Sequence, residues 1–371
     1  MKFTVEKDLF VREVQIAQEI IASRSNMSIL SNVLLQAEEG NLTVRATDLK
    51  VSFETSISVA VTDPGVTTVY CDKLLSILRS LPDGEVEFEQ VSLSAGENFT
   101  IRPKFKQGIE FKLRSIPADK FPELQVRLDT GYFEFPQQEF VEMVTQTSFA
   151  VSDDETRFFM NGVYLESDES GLVMVATDGR RLSLITQEMP AGLTDFEGVI
   201  IPPKVLNLVR RLALGEGTLG MAVADKHVFF KFGDHYVSSA LIDGQFPNYR
   251  RVIPETQHYQ ILIDKHELSE ALKRVALLVE KSRRVYLDLA SGQITVRSEE
   301  SEVGVAREAI MVEYEGPDAT IALNYLYLVD PLRVIETDRI SIHFTDPGKA
   351  ITIYSEPRDR YYHVVMPMQI Q

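Results

Sequence analysis

Few residues in this 371-residue chain have the types and spacing that catalysis needs. Its single cysteine, Cys71, stands at the start of a predicted helix, where a thiol can become more acidic and act as a nucleophile. A lone cysteine at such a place is more often a small, half-buried residue. The run Asp153-Asp154-Glu155 offers carboxylates to a hard cation, but it is more typical of a solvated loop.

Other signatures of enzymes and metal sites are missing from the sequence. There is no glycine loop for phosphate, no GxSxG elbow and no HExxH pair. One cysteine can form neither an internal disulfide nor a thiolate metal site. The histidines show no ligand spacing; they are His227, His235, His258, His266, His343 and His363. We therefore expect no catalytic residue, no metal and no cofactor.

Basic residues offer the clearest chemistry, because Lys and Arg bind phosphate groups without reading sequence. Two clusters lie in predicted helices: Lys204, Arg210 and Arg211, and then Lys281, Arg283 and Arg284. The net charge of −17 argues against nucleic acid only if the acidic residues are evenly spread. The predicted helices together are slightly basic, so the acidic excess lies elsewhere, although mixed charge on helices often has no meaning.

The elements that position these residues follow an internal repeat. Ala-Thr-Asp occurs at 46–48 and again at 176–178, and the helical pattern of 71–81 returns at 202–212, with an offset of about 130 residues. A third, weaker copy begins at Tyr259. Three unrelated domains of similar composition are the alternative.

Each copy is predicted to contain two helices and several antiparallel strands, which makes the fold class α+β. The predicted domains are residues 1–127, 128–254 and 255–371. The predicted helices cover 7–24, 72–83, 137–150, 204–213, 264–284 and 324–336, the last distorted or shortened by Pro331.

Repeated units either close into a ring or continue as a filament, so equivalent helices should line one side of the array. The basic stretch 101–106 and the acidic stretch 298–302 are interpreted as sheet edges that pair between subunits. The alternative is that these charges only keep an exposed edge strand from pairing with other chains. The sequence shows no apolar run long enough for a membrane span and no secretion signal, and with one cysteine it favours a cytoplasmic protein.

Three motifs carry a resemblance to a known family: ATDGRRL at 176–182, DGQFPNYRR at 243–251 and VVMPM at 364–368. The chain resembles, over its whole length, the bacterial sliding clamps, the beta subunits of DNA polymerase III. The resemblance implies a head-to-tail homodimer that forms a ring, with helices lining a hole for duplex DNA. It also implies a processivity factor that tethers the catalytic subunit of the polymerase, the clamp loader and other proteins with a clamp-binding motif.

The resemblance and the charge pattern together suggest the residues that contact DNA. They are Arg24, Phe158, Phe159, Lys204, Arg210, Arg211, Lys281, Arg283 and Arg284. Asp72 replaces a basic residue of the family, and the acidic loop 152–155 is unexpected beside phosphates.

In the family, a groove between the second and third domains holds a peptide with glutamine and bulky apolar side chains. Its apolar residues would receive those side chains, and Arg181 and Arg251 would orient the peptide backbone. The matching positions are Met160, Thr177, Gly179, Arg180, Arg181, Leu182, Pro247, Arg251, Val252, Asn324, Tyr327, Val364, Met366, Pro367 and Met368. The tail Gln369-Ile370-Gln371 departs from the family pattern.

The resemblance also implies a subunit interface with an apolar centre and complementary charges. Its residues are Lys73, Arg102, Lys104, Phe105, Lys106, Leu277, Leu278, Glu299, Glu300 and Glu302. A scaffold of acidic repeats that binds only protein peptides is the alternative function, since it has the same fold but no behaviour that depends on DNA.

Overall fold

A computed structural model describes residues 1–21, 28–93, 96–190, 193, 197–213 and 216–369. Within these residues the chain forms 25 strands and six α-helices, with short 3-10 turns between some of them. The elements of the first half are β1 (Lys2–Glu6), α1 (Lys7–Ile20), β2 (Asn32–Glu38), β3 (Asn41–Thr47), β4 (Val51–Ser58), β5 (Ala60–Asp63), β6 (Gly65–Tyr70), α2 (Cys71–Ser80), β7 (Glu85–Leu93), β8 (Gly96–Pro103), β9 (Phe111–Ile116), β10 (Phe133–Pro136), α3 (Gln137–Thr147), β11 (Val163–Asp168), β12 (Gly171–Thr177) and β13 (Arg181–Gln187).

The second half continues the same alternation of helices and antiparallel strands. Its elements are β14 (Val199–Ile201), α4 (Pro203–Leu212), β15 (Thr218–Ala224), β16 (His227–Phe232), β17 (His235–Ala240), β18 (Tyr259–Asp264), α5 (Lys265–Val275), β19 (Arg284–Ala290), β20 (Gln293–Ser298), β21 (Arg307–Met311), β22 (Ala319–Asn324), α6 (Tyr325–Val334), β23 (Arg339–Phe344), β24 (Ile351–Glu356) and β25 (Tyr361–Val365).

The chain divides into two compact units. The first contains Met1–Glu134 and Thr218–Ala240, and its strands follow the order β15-β16-β17-β4-β3-β2-β6-β9-β8-β7-β1-β5. The second contains Phe135–Gly217 and Leu241–Gln371. It holds one sheet in the order β14-β11-β12-β13-β25-β24-β23-β18 and another in the order β21-β20-β19-β22. In both units, strands far apart in sequence become neighbours.

Aromatic packing stabilises the start of the first unit. The ring of Phe3 stacks on that of Phe88 with 4.9 Å between centroids, and Phe10 meets Phe88 edge-on at 5.3 Å. Phe10, Val14 and Ala17 lie on one stripe of α1 and are fully buried. This spacing is the apolar face of an amphipathic helix, as the sequence pattern indicates.

Five predicted helices differ from the observed ones mainly at their ends, but the prediction of one helix over 264–284 is wrong. Helix α5 ends at Val275, a 3-10 turn follows over Ala276–Leu278, and Arg284 already begins β19. Arg283 has a φ of +55°, a left-handed conformation that a right-handed helix does not contain. The basic residues at 281–284 therefore lie outside any helix.

The prediction that the two charged stretches are sheet edges is also wrong. The basic stretch 101–106 begins in β8, which lies between β7 and β9 and is therefore an interior strand. Of the acidic stretch 298–302, only Ser298 belongs to a strand, β20, and its glutamates lie in the connection to β21. The basic side chains already have acidic neighbours: Arg102 binds Glu89 and Glu110, each at 2.8 Å. A cross-strand partner on the same sheet cannot be recognised from one sequence, because it depends on register.

Candidate functional site

The Ala-Thr-Asp-Gly-Arg motif forms the turn between β12 and β13, and hydrogen bonds within the motif stabilise this turn. The hydroxyl of Thr177 donates to the carbonyl of Arg181 at 2.6 Å, and the amide of Gly179 donates back to that hydroxyl at 3.0 Å. The carboxylate of Asp178 accepts from the amides of Arg180 and Arg181. Gly179 has a φ of +85°, which side chains rarely tolerate, so Thr177, Asp178 and Gly179 each help to form the turn.

Strand β25 brings residues from the far end of the sequence to this turn. It pairs with β13 so that Leu182 faces Val364, and the amide of Met366 donates to the carbonyl of Arg180 at 2.9 Å. Leu182 and Val364 are almost completely buried, whereas 45% of Met366 is exposed. The pairing therefore creates an apolar floor with a flexible thioether at its rim.

A cavity of about 190 Å³ opens above this floor. Ten of the predicted pocket residues line it, together with two that the sequence reasoning missed. The lining is Met160, Thr177, Gly179, Arg180, Arg181, Leu182, Pro247, Asn248, Tyr249, Val252, Val364 and Met366. Its size is below the range of about 300–1,000 Å³ for whole small-molecule sites, so it suits one or two side chains of a larger ligand.

One wall of the cavity is held by the segment around Phe246 and Tyr249. The Phe246 ring stacks on Tyr164 at 4.7 Å, and the hydroxyl of Tyr249 donates to Glu166 at 2.6 Å. Arg250 binds the same carboxylate, and also Asp168. Burial raises the pKa of Tyr164 to about 12 and also raises the pKa of Tyr249, so both hydroxyls stay protonated at neutral pH.

The main function of Arg181 at the cavity is to hold neighbouring segments of the chain in place. Its guanidinium donates to Asp178 at 3.1 Å, to Asp330 at 2.6 Å and to the carbonyl of Phe149 at 2.7 Å, and it lies over the Tyr327 ring. Only 10% of its side chain is exposed. These bonds leave few donors for a peptide backbone. No signal in the sequence points to Asp330.

The remaining predicted pocket residues do not line the cavity. Arg251 is exposed in the 3-10 turn Tyr249–Val252, and Asn324 caps α6 by accepting from the amide of Leu326. Pro367 follows Met366 along the chain, and the amide of Met368 donates to the carbonyl of Ala322 at 2.7 Å. Tyr327 lies under the guanidinium of Arg181, so it also is not part of the lining. Ile370 and Gln371 lie outside the described residues.

Comparison with known proteins decides the family. The chain matches the models of the N-terminal, central and C-terminal domains of the DNA polymerase III beta subunit at residues 1–125, 134–248 and 250–369. The chain belongs to the DNA polymerase III beta subunit family. It is 42% identical to the beta sliding clamp of Treponema pallidum and 31% identical to that of Escherichia coli K12, with 100% of both chains covered in each case.

Solved structures give the same answer. A beta sliding clamp of C. crescentus, with PEG bound to a putative beta-motif tethering region, has a TM-score of 0.93 and 31% identity over 100% of this chain and 99% of that one. A sliding clamp of Pseudomonas aeruginosa bound to griselimycin has a TM-score of 0.92 and 29% identity, with 100% of both chains covered. As a sliding clamp, the protein is a replication factor and not an enzyme, and family membership does not favour the protein-only scaffold.

The candidate DNA-contacting residues of this sliding clamp lie in three separate places. Lys204, Arg210 and Arg211 belong to α4, with both arginines in its last turn. Phe158 is half exposed in the turn Glu155–Met160, while Phe159 packs against the core beside the cavity. Arg24 lies outside the described residues.

The third place is the connection between α5 and β19. Lys281 and Arg283 are exposed there. Arg284 is different, because its guanidinium binds Glu299 at 3.0 Å and only 16% of its side chain is exposed. Arg284 is therefore a weaker candidate for phosphate contact than its two neighbours.

The acidic loop before Phe158 has a structural function in this sliding clamp. Asp154 accepts from the amide of Thr156 and binds Arg157 at 2.9 Å, so it caps the turn that carries Phe158. Hydrogen bonds from Thr156 and Arg157 lower the pKa of Asp154. Among the described residues, no group of three or more His, Cys, Asp or Glu could hold a metal.

The candidate interface residues include two very exposed apolar side chains. Phe105 is 79% exposed just after β8, and Leu277 is 83% exposed after α5. Glu300 and Glu302 lie in the connection from β20 to β21. Lys104 binds Glu85 at 2.9 Å, and Lys73 lies 3.9 Å from Asp72.

The alternative of a reactive cysteine is wrong. Cys71 is fully buried at the start of α2, and burial raises the pKa of its thiol to about 12. A buried, protonated thiol is a poor nucleophile. Separately, none of the helices in the described part of the chain has the length and apolar character of a membrane span.

Proposed function

We propose that the cavity above Leu182 and Val364 is the site through which this sliding clamp recruits its partners. The observation that carries the proposal is the apolar floor beneath a partly exposed methionine. A bulky apolar side chain of a partner peptide would displace water from this floor, with a gain of about 25 cal/mol per Å² of apolar surface buried. The thioether of Met366 can adjust to different side chains.

The polar rim would set the orientation of the peptide. Asn248 and Arg180 are exposed beside the floor and can bond to a glutamine amide or to the peptide backbone. Arg181 would act differently, by holding the turn 177–181 in place through its bonds to Asp178 and Asp330. Partners would then be the catalytic subunit of the polymerase, the clamp loader and other proteins with this motif.

Two copies of the chain would close head to tail into a ring around duplex DNA. Leu277, Leu278 and Phe105 would form the apolar centre of the interface, and the basic residues of α4 and of 281–283 would face phosphates. The closed ring itself would keep the protein on the DNA. Its contacts with phosphates can therefore be weak, which permits sliding. A tethered polymerase then has a high effective concentration at the primer end.

We also propose domain boundaries at residues 1–127, 128–254 and 255–371, and a cytoplasmic location. The location is supported by a replication function and by the single buried cysteine.

A peptide titration tests the recruitment site. A labelled peptide with a glutamine and two bulky apolar residues is added to the full chain and to a Met366→Ala variant. We expect saturable binding that weakens about tenfold in the variant. The control is Leu49→Ala, an exposed apolar residue on the corresponding turn of the first repeat. Equal affinity for the Met366→Ala variant and the unchanged protein would contradict the proposal.

A further inference from the structure

Met366 has a fixed position on the rim of the peptide cavity, which is the cavity above Leu182 and Val364. Its amide donates to the carbonyl of Arg180 at 2.9 Å, so the backbone is held in place while the residue lines the cavity. Because 45% of the residue is exposed, solvent reaches it. A small dissolved oxidant can therefore reach it as well.

The other methionines differ from Met366 in exposure or in location. Met143 and Met174 are fully buried, and Met160, the second methionine of the lining, is only 4% exposed. Among the residues that the structure describes, one further methionine is strongly exposed. This is Met311, which is 73% exposed at the end of β21 and does not line the cavity. Met366 thus combines exposure with a position in the binding site.

The backbone contact of Met366 does not require a methionine. The first unit contains a similar turn after β3, closed by a hydrogen bond from the hydroxyl of Thr47 to the carbonyl of Val51 at 2.9 Å. There the amide of Ala240 donates to the carbonyl of Lys50 at 3.0 Å, so Ala240 has the place that Met366 has in the second unit. Alanine is sufficient for this contact. The thioether of Met366 is therefore not needed by the turn, and it is free to serve the cavity.

The sulfur of methionine can be oxidised reversibly by peroxide. The sulfur attacks one oxygen of hydrogen peroxide, the O–O bond breaks, and the products are a sulfoxide and a water molecule. The thioether is oxidised and the peroxide is reduced, and no proton is left over. The side chain changes from flexible and apolar to polar, because the new S–O bond is strongly polar.

We propose that Met366 is an oxidation site whose sulfoxide weakens the recruitment of partners. This inference rests on the proposed function of the cavity. The sulfoxide would add a polar oxygen at the rim, beside the apolar floor of Leu182 and Val364. A bulky apolar side chain of a peptide would cover this oxygen only by removing its water, which is unfavourable. A dithiol that reduces the sulfoxide becomes a disulfide and releases water, and this reaction would restore the site.

The single cysteine does not compete with Met366 for the oxidant. Peroxide reacts with thiolates, whereas Cys71 is fully buried and burial raises the pKa of its thiol to about 12. Peroxide should therefore act first on exposed methionines.

Peroxide treatment followed by the peptide titration tests the proposal. The full chain is treated with hydrogen peroxide, and peptide mapping by mass spectrometry locates each added oxygen. Mapping includes Met27, which lies outside the described residues. We expect oxygen on Met311 and Met366 first. The labelled peptide with a glutamine and two bulky apolar residues should then bind about tenfold more weakly than before treatment.

Two further measurements connect the oxidation to the cavity. Bound peptide should slow the oxidation of Met366 and leave that of Met311 unchanged, because the peptide covers only the first. Purified methionine sulfoxide reductases, supplied with dithiothreitol, should restore the affinity for the peptide.

Two variants assign the loss of affinity to one sulfur. Met366→Leu has an apolar side chain of similar size that peroxide does not oxidise, so its affinity after treatment should equal its own affinity before treatment. The matched control is Met311→Leu, which removes the other strongly exposed thioether from a place outside the cavity lining. This variant should lose affinity on treatment just as the unchanged protein does.

Several outcomes would overturn the proposal. They are unchanged peptide affinity with Met366 oxidised, an equal loss of affinity in Met366→Leu, oxidation of the buried methionines before Met366, and affinity that stays low after the sulfoxide has been reduced. Each of these, in a protein that binds the peptide before treatment, leaves the proposed function intact. A protein that does not bind the peptide before treatment would overturn the proposed function and this inference together.

Discussion

The carboxylate of Asp330 lies 2.6 Å from the guanidinium of Arg181, although the two residues are 149 positions apart. This ion pair joins α6 to the turn that forms part of the peptide cavity. Both side chains are largely buried, so each depends on the other for compensation of its charge.

Asp330→Asn should lower the free energy of unfolding by about 1–3 kcal/mol, because Arg181 keeps only Asp178 and a carbonyl as strong partners. Peptide affinity should also fall, although Asp330 does not line the cavity. Urea unfolding and the peptide titration measure the two effects. Glu188→Gln is the control, since its pair with Arg360 is exposed and should contribute at most about 1 kcal/mol.

Gly179→Ala should destabilise the protein by about 1–2 kcal/mol through its left-handed φ. It should weaken peptide binding as well, because Gly179 lines the cavity and a methyl group there adds bulk to the lining. Gly40 is a good control, with a φ of +79° and no atom within 4 Å of the place that a new Cβ would take. Gly40→Ala should destabilise the protein by a similar amount without changing its peptide affinity. If both variants weaken peptide binding equally, the explanation is wrong.

His363 should make the stability of the protein dependent on pH. Burial, together with Arg181, lowers the pKa of this fully buried histidine to about 3, whereas an unfolded histidine titrates near pH 6.5. Between these values the unfolded chain binds a proton that the folded chain does not. The free energy of unfolding is therefore highest above about pH 6.5 and decreases towards pH 3.

His363→Leu removes this titration, so the free energy of unfolding should decrease less steeply as the pH is lowered. Urea midpoints between pH 7.5 and 4.5 measure it. His258→Leu, at an exposed position, should keep the slope of the unchanged protein. An unchanged slope in His363→Leu would show that other groups cause the decrease.

Replacing Arg210 and Arg211 by Gln should reduce the affinity for short linear duplex DNA. If both contact phosphates, the slope of log K against log salt should become shallower by about 2. Fluorescence anisotropy of labelled duplex DNA at several salt concentrations measures this slope. The control replaces Arg339 and Arg360, two arginines bound to surface carboxylates, and should leave the slope unchanged.

Leu277→Lys should weaken association of two chains by tenfold or more, because a charge would enter an apolar contact. Sedimentation velocity at several concentrations measures the effect. Leu9→Lys also places a charge at an exposed leucine and should leave association unchanged. Dimers of equal strength in both variants would place the interface elsewhere.

Much of the fold can be predicted from the sequence, because the repeat places the same turn and helix signals about 130 residues apart. Ten of the residues that line the cavity were expected from the resemblance to the sliding clamps, whereas Asn248 and Tyr249 were not. The features that the sequence does not predict depend on contacts between residues far apart in the chain. Helix α5 ends at Val275 and a 3-10 turn follows it, although the basic and apolar residues beyond it suggest a longer helix. The partners of Arg102 and Arg181 depend on strand register and on helix packing. These features have no local signal.

The pairing of β13 with β25 has a consequence for synthesis of the protein. Ser183 and Tyr361, which bond to each other across these strands, are 178 residues apart. At about 5–20 residues per second, a ribosome needs roughly 10–35 s to reach the second after making the first. During that interval one edge of β13 has no β25 to pair with, and such an edge can join with other chains. A chaperone that covers this edge during translation would protect the yield of folded protein.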